Sequence, residues 1–371
     1  MFCFLALTVL ANGQTNFYIQ SIQENADGAI TVTWPAVPTW TYHVMYADSP
    51  GGAWQDLSDG QLTAGTNVWT LCYTDTNSAA ASQRFYKIRT TRPKLIMALV
   101  LDRSGSMNPA TGTSMGGAYL PGAVSTFISN FDDNYDEAAM VSFATTATVD
   151  VPMGQPFKQA ISAAVTNLNW CGGTFAQGGL TNALVQINNA TVPPGQNQVK
   201  VVVFFTDGLA NMIQDTLSCP TSITWNFGGY STGSWVGFWN PATTTKSCSD
   251  QDNACGNGSS PIGCSPSCSA TQFHSNQYNA MEIFTRANVT AEAQYRSIQV
   301  ANDMRANNIL VEAIGLGNET DLDMNFLSQI ANATNSPTYD ATQRTGQAII
   351  ANTPSDLQAV FQQIASKLLT Y

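Results

Sequence analysis

Three uninterrupted apolar runs constrain this chain more than any other feature. They are LIMALVLD (95–102), VKVVVFFTDG (199–208) and ILVEAIGLG (309–317). A strand with one face in water alternates apolar and polar residues, whereas a continuous run must be covered on both faces. Strands of that kind lie inside parallel sheets whose connections cross over through helices. Helical patterns do separate the runs: 117–131 despite Pro121, LTNALVQINNA (180–190) and DMNFLSQIANA (323–333). AAMVSFATTATVD (138–150) reads as one long strand or a hairpin, and PTYDAT (337–342) as a last short strand. The terminal helix is the clearest. Thr353 can cap it, Pro354 suits its first position, Asp356 completes a capping box, and Leu357, Val360, Phe361, Ile364 and Leu368 mark one apolar face. From 94 to 371 the sequence therefore predicts an α/β, doubly wound, mostly parallel six-stranded sheet.

Residues 16–92 follow a different rhythm. FYIQSIQ, AITVTW, YHVMYA, NVWTLCY and RFYKIRT are short β-rich runs, with the turn formers NADG, SPGG and SDG between runs. Trp34, Tyr42, Tyr46, Trp54, Trp69, Phe85 and Tyr86 are the predicted core of a small all-β domain. It resembles the fibronectin type III-like β-sandwiches of secreted bacterial proteins. Ahead of it, FCFLALTVL and then ANGQ make residues 1–15 a signal-like segment, although the basic n-region is missing. No other run approaches the roughly 18 apolar residues that a membrane span requires. Export is the expectation, to the medium or the cell envelope.

One stretch, 211–288, fits neither rhythm. It lacks periodicity and holds five of the eight cysteines: Cys219, Cys248, Cys255, Cys264 and Cys268. It reads as a cross-linked insertion, because an exported chain with clustered cysteines favours disulfides. Zinc is the alternative, but only a C-x₃-C pair occurs where zinc sites usually show tighter spacing. Trp225, Phe227, Tyr230, Trp235, Phe238 and Trp239 crowd the same stretch. They read either as local core filling or as a contact surface in which Trp235 and Trp239 bind a ligand.

Charge excludes one class of partner. The formal net charge is -11 and only 11% of residues are charged. Nucleic acid would need clustered Lys and Arg. An acidic chain suits a cation instead.

The chemistry lies where the first buried strand ends, in Asp102-Arg103-Ser104-Gly105-Ser106. In an open α/β sheet, ligands bind beyond the carboxyl ends of strands. LVLDRSGSM resembles the metal-ion-dependent adhesion site of von Willebrand factor A domains. WCGGTFAQGGL supplies a matching Thr174 and VVVFFTDG a matching Asp207. The resemblance implies that Asp102, Ser104, Ser106, Thr174 and Asp207 hold one divalent cation. An all-oxygen set of this kind selects Mg²⁺ first, or Ca²⁺ or Mn²⁺. It also implies a partner protein whose Asp or Glu completes the coordination, and no catalysis. With both loops meeting at the metal, a Cys171–Cys219 bridge follows, the remaining insertion cysteines pair among themselves, and Cys72 stays a free buried thiol.

Two other functions compete. Long Cys- and Asn-rich insertions after the TDG strand resemble the A domains of tight-adherence (Tad) pilus proteins, which points to pilus assembly. A role as an enzyme or enzyme-complex subunit is the other. Gly112-Thr113-Ser114-Met115-Gly116 spells the G-x-S-x-G of α/β-hydrolases, but no strand directly precedes it, and His43 and His274 are the only histidines.

Overall fold

In the computed structural model the described residues are 18–370, except 50, 66, 79–82, 195, 220–222, 226–227, 231–232, 242–246, 251–260, 264–268, 271–285 and 318–321. Side chains from 215 to 289 also lie outside the description. The signal-like segment 1–15 falls in the undescribed part, as does His274. The chain divides into two compact units, one built mainly on the residues up to Lys94.

The first unit has six strands: β1 (Ser21–Glu24), β2 (Ile30–Pro35), β3 (Thr41–Ala47), β4 (Gln55–Thr63), β5 (Thr70–Asp75) and β6 (Phe85–Thr91). They form two three-stranded antiparallel sheets, ordered β1-β2-β5 and β4-β3-β6. Alternation in β2 turns Ile30, Val32 and Trp34 inward, where they pack with Tyr42, Val44 and Tyr86 of the second sheet. This small β-sandwich departs from the sequence reading in three ways. Trp69 is not core but 68% exposed, and Trp40 is buried in its place. Cys72 is free but exposed rather than buried, since β5 turns alternate residues outward at the sheet's edge. Ser58-Asp59-Gly60 is not a turn. It lies within β4, opposite a register shift between His43 and Met45, and a Cβ on Gly60 would sit 3.1 Å from the Val44 carbonyl oxygen.

The second unit begins with β7 (Lys94–Asp102), α1 (Leu120–Ser129), β8 (Glu137–Phe143), β9 (Ala147–Gly154), α2 (Lys158–Thr166), α3 (Ala176–Asn188) and β10 (Gln198–Thr206). Short strands follow: β11 (Ile213–Cys219), β12 (Ile223–Trp225), β13 (Gly228–Tyr230), β14 (Gly233–Pro241), β15 (Ser247–Asp250), β16 (Pro261–Gly263) and β17 (Ser269–Ala270). The unit closes with α4 (Arg286–Ala306), β18 (Ile309–Leu316), α5 (Met324–Ala331), β19 (Ala348–Ala351) and α6 (Leu357–Leu368).

The six-stranded sheet runs β19-β18-β10-β7-β8-β9. The β7–β8, β10–β18 and β18–β19 ladders are parallel, and only the edge strand β9 pairs antiparallel, as the second arm of a hairpin with β8. Every residue of β7, β8 and β18 is buried, the result that continuous apolar runs require. After β7 the chain steps to β8 on one side and later to β10 on the other. The switch point therefore lies between the carboxyl ends of β7 and β10.

PTYDAT is not a strand. Asn332 accepts from Asp340 N and donates to Asp340 O, both at 2.8 Å, which ties that segment into turns. The sixth strand is AIIA, 348–351. At the start of α6, Thr353 N donates to Asp356 as the capping box requires, and Leu357, Phe361 and Ile364 are fully buried.

The stretch read as lacking periodicity carries strands. β16-β15-β14-β11-β17 form a five-stranded antiparallel sheet, and β12 and β13 form a hairpin. At the root of this excursion Arg296 of α4 donates to Gln214 O at 3.1 Å.

Candidate functional site

Asp102 ends β7 with no exposure to solvent. Its Oδ1 accepts from Ser104 N at 2.8 Å, a turn in which the carboxylate holds the backbone two residues on. Its Oδ2 accepts from Thr206 Oγ1 at 2.6 Å, which fastens the ends of β7 and β10 to each other. The chain then makes a 3-10 turn over Gly105–Met107. That turn brings Ser104 Oγ and Ser106 Oγ to 3.0 Å, and Ser106 Oγ donates to Asp207 Oδ1 at 2.7 Å. Asp102, Ser104, Ser106 and Asp207 thus share one hydrogen-bonded cluster at the switch point.

Thr174 reaches the same rim through its backbone. Cys171 N donates to Arg103 O at 2.9 Å and Gly105 N to Gly172 O at 3.1 Å, laying the 171–174 loop against the Asp102–Ser106 loop. Gly172 makes this approach possible. Its φ is +79°, and a Cβ there would fall 2.3 Å from Thr145 Oγ1. Thr174 N donates to Asn211 Oδ1 at 2.8 Å and Asn211 N returns to Thr174 O at 3.1 Å, so the loop is also tied to the chain just beyond Asp207. Trp235 and Trp239 lie on β14, in register with Leu217 and Ile213, and their side chains fall outside the described residues. The bridge assigned to Cys219 involves a side chain outside the described residues, as do the other insertion cysteines.

Two further residues belong to the cluster. Thr206, one before Asp207, holds Asp102. Ser114 donates to Asp207 Oδ2. The only sequence signal for Ser114 was the G-x-S-x-G pattern. The structure answers the hydrolase reading of that motif, because the Ser114 hydroxyl is engaged by a carboxylate and not by a histidine. The other available histidine, His43, lies on β3 of the sandwich.

The electrostatics are those of crowded negative charge. Burial, followed by the charge of Asp207, pushes the Asp102 carboxyl up to about 7. Burial also raises Asp207, against hydrogen bonds from Ser114 and Ser106 that favour its ionised form. Two buried carboxylates with hydroxyls and a main-chain N–H around them are a hard-oxygen donor set short of positive charge. That chemistry fits a divalent cation of the Mg²⁺ type. Among the described residues no three His, Cys, Asp or Glu side chains converge, so the donor set depends on its hydroxyls.

Residues 97–209 match the family model described as von Willebrand factor type A domain, and the chain contains a domain of that fold. No curated protein sequence matches it. Among solved structures it is similar to a single-residue mutant of the PilB minor pilin from Streptococcus sanguinis, at 14% identity and TM-score 0.50, covering 96% of this chain and 80% of that one. It is also similar to proximal thread matrix protein 1 from the mussel byssus, at 16% identity and TM-score 0.40, covering 74% of this chain and 46% of that one. A third is the pilus adhesin SpaC from Lactobacillus rhamnosus GG, at 14% identity and TM-score 0.47, covering 97% of this chain and 36% of that one. This chain spans less than half the length of the last two.

Proposed function

We propose that this chain is a non-enzymatic, protein-binding component of an extracellular surface structure, of the pilus type, that grips its partner through a divalent cation. The observation that carries the reading is the convergence of Asp102, Ser104, Ser106 and Asp207 at the switch point, with the Thr174 loop tied to the same rim. In this reading those five residues hold Mg²⁺, or Ca²⁺ or Mn²⁺. Bound there, the cation would supply an electrophilic seat for a partner's Asp or Glu. The protein's part is to hold two carboxylates and three hydroxyls in place and to limit the negative charge offered, since hydroxyls are neutral ligands.

A surface structure is favoured over a free-standing adhesin because the minor pilin is matched along nearly the whole of this chain, sandwich included. The clustered cysteines, read as disulfides, favour an oxidising, extracellular location. Among the described residues no helix is long and apolar enough to cross a membrane.

Calorimetric titration of the full chain with Mn²⁺ tests the reading. The unaltered protein should bind one ion, and Asp102→Ala or Asp207→Ala should remove that binding and any chelator-sensitive capture of partner. The far-UV spectrum should stay unchanged, because Asp102 and Asp207 lie at the carboxyl ends of β7 and β10 and not within the apolar core. A protein that binds no divalent ion would overturn the proposal.

A further inference from the structure

We infer that Ser114 is a positioning residue of this site, and that the Gly112–Gly116 turn is built to deliver it. The inference rests on the metal-site reading above and adds to it a residue from a different loop.

Asp207 has two carboxylate oxygens and both are engaged. Oδ1 accepts from Ser106 Oγ at 2.7 Å and Oδ2 accepts from Ser114 Oγ. The Ser114 hydroxyl also lies 3.1 Å from Ser106 O, but it has a single hydrogen, and an ionised carboxylate is the stronger acceptor. Its lone pairs face Gly116 N, which donates at 3.3 Å. The hydroxyl is therefore fixed on both sides and aimed at Asp207.

The turn is shaped for that delivery. Ser114 N and Met115 N both donate to Ser106 O, at 3.0 and 3.3 Å, so the loop folds back onto the very residue that holds Oδ1. Gly112 must be glycine at this approach, because a Cβ would lie 2.0 Å from Ser106 O. At Gly116 a Cβ would lie 2.3 Å from Leu316 Cδ2. Met115 between them holds φ at +52°, a conformation that a side-chain-bearing residue adopts only when its surroundings impose it. One obligatory glycine, Gly112, and one strained residue thus frame a single hydroxyl.

The consequence concerns Asp207's freedom. With Oδ2 accepting from Ser114 and Oδ1 from Ser106, the carboxylate is held at both oxygens. The site is set before a cation arrives. Partners of metal ligands typically contribute about ten-fold or more to affinity.

The test is Mn²⁺ titration of the full chain, with metal-free thermal melts alongside. Ser114→Ala should weaken Mn²⁺ about ten-fold, and Ser114→Thr, which keeps the hydroxyl, should bind within about three-fold of the unaltered protein. The stabilisation that a fixed Mn²⁺ concentration adds to the melt should shrink in Ser114→Ala and return in Ser114→Thr. If Asp207→Ala loses the ion while Ser114→Ala binds as tightly as the unaltered chain, this inference fails and the metal reading stands. If the unaltered chain binds nothing, both fail. Should Ser114→Ala melt too low to titrate, Ser114→Thr decides: a loss of about ten-fold or more there overturns the inference.

Discussion

Asp102 and Asp207 resist each other's ionisation, and that has a measurable pH signature. The Asp102 carboxyl titrates at about 7 in the folded, metal-free chain and at about 4 when unfolded. A raised carboxyl favours the folded state below its unfolded value, and the advantage is lost as pH rises through the folded value. The metal-free protein should therefore lose stability between about pH 4 and pH 7, by a few kcal/mol at most. Saturating Mg²⁺ should flatten or reverse that slope, since the cation favours the ionised pair. Chelated and Mg²⁺-loaded melts across this range check it, and a chelated protein with no slope would contradict the shift. At this scale Asp102, Ser104, Ser106 and Asp207 were legible because they lie at or just past the ends of buried strands and match the adhesion-site pattern that the sequence resembles. Ser114 was not, because its partner Asp207 is remote in sequence and only the folded turn brings them together.

At the scale of elements, the turn before α1 carries the sharpest prediction. Gly112→Ala would place a methyl 2.0 Å from Ser106 O, so the loop must move. The chain should still fold, because β7 and β8 are buried independently of the loop. We expect a stability loss of about 1–3 kcal/mol together with weakened Mn²⁺ binding, read by denaturant melts and calorimetry. An unchanged ion affinity would show that the turn does not govern the site. Elements with strong internal logic were legible in the sequence. The three apolar runs became buried strands, and Thr353, Pro354 and Asp356 marked the entry to α6. Elements whose identity depends on distant partners were not. β4 is a polar edge strand whose Ser58-Asp59-Gly60 mimics a turn, yet pairing with β3 extends it. PTYDAT has strand-like residues, yet Asn332 claims its backbone. Most strands between β10 and α4 are short, and the longest, β14, is interrupted by Gly233, Ser234 and Gly237, so the stretch showed no period.

For the whole molecule, the proposed function assigns the excursion between β10 and α4 a task of its own. We expect deletion of residues 216–286, with a short linker joining the ends, to preserve Mn²⁺ binding and remove partner recognition. The ion alone accepts any carboxylate, so the excursion would supply selectivity. Pull-down of partner by the intact and shortened chains, with and without chelator, checks this. Equal capture by both would leave the excursion without a role in recognition. The net charge of -11 adds a condition, since an acidic partner meets long-range repulsion that salt screens beyond roughly 10 Å.

The clamp from Arg296 to Gln214 O gives that excursion a further property. That hydrogen bond joins the start of the excursion to α4, the helix that follows it. The excursion builds its own sheet, β16-β15-β14-β11-β17, whose strands pair with one another and not with the six-stranded sheet. Whatever lies beyond the clamp can therefore be lengthened, shortened or exchanged with little burden on the sheet or the cluster at its rim. On the proposed function the chain would be a fixed grip with a replaceable face. Inheritance can revise the face to suit a new partner while the grip is passed on untouched.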